Sequence, residues 1–227
     1  MRAHLRRLIG LPLALALALA LSGGFAPAHA AAWGGDRFTR DLYFYAGYER
    51  QIDSRTCTAA STAMMMNFIA RRDLRLGQLS ILRYAQPRDA LNDRVQRGSD
   101  PLGWSKAATY YSRYTGRPTT YAWQAFTSEY AALKDAATRI ARFGKPVGLV
   151  VQHGKHAVVM TGFTANHDPN RGDDFKLVSV FVSDPYGYRH VLYAAADSPL
   201  NRYLELDATT TYDRLWYGKY ITVAPQN

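Results

Sequence analysis

The chain has 227 residues, 48% of them hydrophobic and 20% charged, with a formal net charge of +10 and one cysteine. One cysteine excludes a scaffold stapled by internal disulfides, and the length suits a single domain with a sizeable core. The basic residues are scattered (Arg71, Arg72, Arg88, Arg94, Arg97, Arg113 and Arg117 among them) with no basic block or basic-aromatic motif, so no nucleic-acid partner is expected.

Arg2, Arg6 and Arg7 precede an almost pure Leu/Ala run from Leu8 to Leu21, and Ala28-His29-Ala30 has the small-x-small form of a cleavage site. Residues 1–30 therefore read as a secretory signal peptide, which predicts a secreted, extracellular protein. The Arg6-Arg7 pair leaves Sec and twin-arginine export both open. Removing the leader leaves 227 − 30 = 197 residues with 25 basic against 18 acidic side chains, a net charge of about +7. Such a field can attract an anionic cell wall or membrane surface weakly. No further apolar run is long enough to span a membrane.

Residues 31–40 read as a flexible mature N-terminus, with the folded domain over 41–227. Asp41–Tyr48 is aromatic and strand-like. Thr58–Ala70 reads as a helix, with Ala60, Met64 and Phe68 at helical spacing and Arg71-Arg72 suiting its C-terminal end. Gly98–Pro101 reads as a loop, Trp104–Tyr114 as a second helix stopped by Gly116 and Pro118, and Thr119–Phe126 as a strand. Ser128 caps a third helix that ends at Gly144. Strands follow over 146–152, 156–164 and 175–183, with a polar hairpin tip at 166–174, a turn at Asp184-Pro-Tyr-Gly187 and a last strand over 219–223. Helices lead and antiparallel strands follow, which predicts an α+β fold with a helical lobe packed on a sheet. Met64–Met66, Trp104, Trp123 and Trp216 are expected in the core. Asp168, Asp173 and Asp174 lack the regular spacing of a calcium loop and read as a solvated tip; no metal or cofactor is expected, and the protein is expected to be a monomer.

Cys57 is unpaired in a chain read as exported to an oxidising compartment. Three roles are open to it: an inert buried thiol, an intermolecular disulfide or a nucleophile. A thiol attacks as the thiolate, a form that a helix N-terminus and a nearby imidazole both favour. Cys57 opens the Thr58–Ala70 helix, and Gln51 stands six positions before it. The backbone N–H of Cys57 and the carboxamide of Gln51 can donate to an oxyanion. Of the six histidines, His4 and His29 belong to the leader and His167 to the polar loop, while His190 follows a turn. His156 opens an apolar strand that fixes its ring, with His153 as the reserve. Asp184 ends the neighbouring strand, and an antiparallel hairpin sets the start of one strand beside the end of the next. Asp184 is then placed to orient His156; its plain alternative is a turn-forming Asp-Pro.

Gln51 six before Cys57, "GKPVGLVVQ" leading into "HAVVMTGF", "VSDPYG" and "YDRLWYGKYITV" together resemble the papain-like cysteine peptidases, within them the bacteriocin-processing (double-glycine leader) peptidase-like branch. The resemblance runs from about Gln51 to Val223. It implies a papain-like fold with Cys57 as nucleophile, His156 as base, Asp184 orienting it and Gln51 in the oxyanion hole. It implies a peptide or protein substrate cleaved through a thioester. The chain departs from the family in carrying Thr58-Ala59 where Gly-Pro usually follows the cysteine. That leaves room for a non-catalytic binding or inhibitory module on the same scaffold. An acyl or peptidyl transferase would use the same Cys-His pair.

Overall fold

The computed structural model describes residues 37–90, 98–193 and 215–227. The signal-peptide reading of residues 1–30 lies outside them. The described elements run β1 (Phe38–Asp41), α1 (Cys57–Ala70), α2 (Gln78–Ala85), α3 (Pro101–Ser112), β2 (Tyr121–Phe126), α4 (Glu129–Phe143), β3 (Val147–Val151), β4 (His156–Ala165), β5 (Leu177–Asp184), β6 (Tyr188–Tyr193) and β7 (Tyr220–Pro225). Among the described residues the strands form one antiparallel sheet in the order β2-β7-β3-β4-β5-β6, and β1 pairs with β4. The fold is α+β, as the sequence predicts, with the helices and antiparallel sheet that the papain-like resemblance implies.

Alternation along the strands builds two cores. Val150, Ala157, Val159, Ile221 and Val223 turn toward α1, α2 and α3, whose Met64–Met66, Phe68, Ile81, Leu82 and Trp104 fill that side. Leu149, Val151, Val158, Met160 and Val182 turn the other way, onto Leu133, Ala136, Ala137 and Ile140 of α4. The sheet is thus covered on both faces, which explains why β3 is buried along its whole length. α1 is likewise buried over 13 of its 14 residues. It is apolar all round because the sheet, α2 and α3 enclose it.

Three local expectations are corrected. Residues 38–40 are not part of a flexible N-terminus but form β1, which pairs Phe38 with Ala165 and Asp41 with Gly162. Gly162 permits this approach: a Cβ there would lie 2.2 Å from the Arg40 carbonyl oxygen. The strand expected over Asp41–Tyr48 is absent beyond Asp41. The Asp41 carboxylate accepts from the Tyr43 N–H at 3.0 Å and bends the chain, which then makes a 3₁₀ turn at Tyr45–Gly47. α3 starts at Pro101, not Trp104, because Asp100 caps it by accepting from Gly103 N–H at 2.9 Å and Pro101 suits the first helical position. α2 and β6 had no counterpart in the sequence reading; α2 is only 8 residues long.

Candidate active site

Cys57 is the first residue of α1 and is buried. The first N–H groups of a helix have no intrahelical acceptor and carry its positive end. The loop that delivers Cys57 is held from within. Thr56 Oγ1 donates to the Asp53 carbonyl at 3.1 Å and accepts from Asp53 N–H at 3.2 Å, while Arg55 N–H donates to the Asp53 carboxylate at 2.8 Å. Gln78 of α2 straddles the same loop, donating to the Arg50 carbonyl at 2.7 Å and accepting from Ile52 N–H at 3.1 Å.

His156 is the first residue of β4, and its side chain is wholly buried. Its Nε2 lies 2.8 Å from Asp184 Oδ1, across the open end of the β4–β5 hairpin. Its Nδ1 is buried with no hydrogen-bond partner, while the Cys57 thiol acts on the same ring. Ser61, one helical turn beyond Cys57, donates to the Ala157 carbonyl at 3.1 Å. That bond pins α1 to β4 one residue from the imidazole and so sets how the thiol and the ring meet.

Asp184 ends β5 and is buried. The oxygen that meets His156 also accepts from Tyr186 N–H at 2.8 Å. Tyr48 Oη donates to the Asp184 carbonyl at 2.7 Å. Burial and the Asp184 charge push the Tyr48 phenol up to about 12, so it remains a donor through the physiological range. Gln51 N–H donates to the Pro185 carbonyl at 2.9 Å, which ties the loop before the thiol to the turn after the carboxylate. The Gln51 carboxamide donates to the Asp53 carbonyl at 2.8 Å, and its Oε1 is buried without a partner.

Burial works against charge on His156, but the hydrogen bond it donates to Asp184, followed by the influence of Cys57 and the Asp184 charge, outweighs it. The imidazole is raised from 6.5 to about 9. It therefore holds its proton at neutral pH.

Cys57, His156 and Asp184 thus converge from α1, β4 and β5, and Gln51 reaches the same corner through Pro185. His153, the reserve, sits in the exposed turn before β4. His167 pairs instead with Asp174 at 3.2 Å, and Asp168 caps the turn at Pro169–Arg171. Sequence reasoning missed Tyr48, Ser61, Gln78 and Tyr186. Only Tyr186, next to the Asp184-Pro185 turn, carried a positional signal. Among the described residues, no three metal-ligating side chains gather as a metal site.

A set built from a helix-borne thiol, an imidazole and an orienting carboxylate can perform acyl transfer. The family model described as the Peptidase_C39 like family matches residues 45–209, a span that holds Gln51, Cys57, His156 and Asp184. A search of curated proteins finds no match.

Proposed function

The chain belongs to the Peptidase_C39 like family of cysteine peptidases, and from that premise we propose that it is a secreted enzyme cleaving peptide or amide bonds through a thioester at Cys57. One observation carries the reading: the buried His156 gives Nε2 to Asp184 at 2.8 Å and leaves Nδ1 unbonded on the side of the chain's single thiol.

In the proposed cycle the Cys57 proton already rests on the His156 ring, and the Cys57 thiolate attacks the substrate carbonyl carbon. The new S–C bond leaves an oxyanion facing the Cys57 N–H and the Gln51 carboxamide. Collapse breaks the C–N bond, and the amine leaves with the proton from His156. Water then gives a proton to His156 and attacks the thioester. The C–O bond forms, the C–S bond breaks, and the acid departs, leaving the Cys57 thiolate beside the protonated His156. Asp184 holds the ring in place and stabilises the imidazolium. The reading of residues 1–30 as a signal peptide favours an extracellular peptide or protein substrate.

The test uses the single cysteine. Iodoacetamide should alkylate the folded protein quickly at pH values well below the free-thiol pKa of about 8.5, and Cys57→Ala should abolish peptide hydrolysis without unfolding the protein. Slow alkylation, or full activity in Cys57→Ala, sinks the reading.

A further inference from the structure

Resting on the reading above, we propose that Tyr186 is a positioning residue whose ring covers one face of His156 and keeps water from the His156–Asp184 hydrogen bond. The two rings stack with centroids 4.2 Å apart and planes 16° apart. The same residue gives its backbone N–H to the Asp184 oxygen that His156 uses, at 2.8 Å. One residue thus grips both partners, the carboxylate through its main chain and the imidazole through its side chain.

Core packing does not account for this ring. Tyr186 is 43% exposed, in a turn that Gly187 closes with φ +126°. Its neighbours fix where the ring goes: Pro185 accepts from Gln51 N–H, and Gly187 N–H donates to the Asp184 carbonyl at 3.1 Å. The face of a phenol ring attracts an adjacent cation, and a hydrogen bond shielded from water is stronger than an exposed one. Both effects favour the imidazolium. The ring adds no charge of its own. Burial first, then the charges of Cys57 and Asp184, hold its hydroxyl above the ordinary tyrosine value despite a hydrogen bond from Gln51. The charged groups facing His156 are Cys57 from α1 and Asp184 from β5, with the neutral Tyr48 behind Asp184.

The test compares Tyr186→Ala and Tyr186→Phe by alkylation of Cys57 with iodoacetate across pH. The anionic reagent is helped by the imidazolium, so its rate falls where His156 loses its proton. This readout needs no substrate. Tyr186→Ala should move that fall about 0.5–1 pH unit lower, the effect expected of one shielded cation–aromatic contact. Tyr186→Phe keeps the ring and should restore the wild-type profile. Circular dichroism should show both variants folded. An unmoved profile in Tyr186→Ala overturns the proposal, and so does a change confined to the KM of a peptide substrate, which would make Tyr186 a wall of the binding site. A Phe variant as impaired as the Ala variant overturns it too. If no peptide is ever cleaved yet the profile moves as described, the proposed activity falls and the role of Tyr186 stands.

Discussion

Replacing Asp184 by Asn removes one charge and little else. The Asn oxygen can still accept from His156 Nε2 and from Tyr186 N–H, so the hairpin end keeps its shape. The imidazole rises from 6.5 to about 9 in the folded protein, which at about 1.4 kcal/mol per pH unit is roughly 3 kcal/mol favouring the charged ring. Asp184 supplies the largest raising contribution, a hydrogen bond, and a charge–charge contribution besides, against the opposing effect of burial. Taking these as about half of the raising influence, the variant should lose at least about half of that preference, on the order of one pH unit. The alkaline limb of kcat/KM for peptide hydrolysis should then fall from near pH 9 to below about pH 8. At pH 8.5 the variant should be at least ~3-fold slower than wild type, and the deficit should shrink toward neutral pH. The assay is kcat/KM from pH 5 to 10 on both proteins, with Cys57→Ala as the blank. A variant whose alkaline limb stays near pH 9 would refute the pairing of His156 with Asp184 as the source of the raised imidazole.

Stability should follow the same group. His156 is raised on folding, so its contribution is fully present below pH 6.5 and lost as pH rises through about 9; thermal melts should show a drop between those limits that His156→Gln lacks. Ser61→Ala removes the bond from α1 to the Ala157 carbonyl, and a denaturant titration should register a loss of about 1 kcal/mol, with a fall in kcat as the thiol loosens from the ring. Gly148→Ala sets a Cβ 2.4 Å from the buried Trp104 ring, whose Nε1 is already committed to Thr62 at 3.0 Å. It should destabilise the fold by about 1–3 kcal/mol while leaving the pH profile unchanged. Burial, followed by the charge of Asp100, lifts the Asp89 carboxyl to about 7, against the hydrogen bond from Ser99. Asp89→Asn should therefore raise the melting temperature at pH 8 and have no such effect near pH 4, where the native carboxyl is already protonated.

Local chemistry was legible wherever a residue type settles its own conformation. Ser128 and Gly144 bounded α4 because a hydroxyl can cap a helix start and a glycine can take the left-handed φ of 62° at its end. The apolar runs of β3, β4 and β5 gave their own extents to within a few residues, and Asp184-Pro-Tyr-Gly187 declared its turn. Cys57, His156 and Asp184 could be singled out because one cysteine, one strand-opening histidine and one strand-ending aspartate left few other choices. α2 was not legible, since 8 residues show too few apolar repeats to establish a period. Nor was β1, because its pairing with β4 spans more than 120 residues of sequence and depends on space at Gly162.

By itself, then, the sequence determined which chemistry was available: one thiol at a helix start, an imidazole and a carboxylate at matching hairpin ends. Only the tertiary structure decided how they are held. Ser61 sets α1 against β4, Tyr48 and Tyr186 fasten Asp184, and Gln78 shapes the loop that presents Cys57. Each of these contacts joins residues whose partnership rests on where sheet and helices cross. Nothing in their spacing along the chain encodes that crossing; burial of two apolar faces of one sheet does.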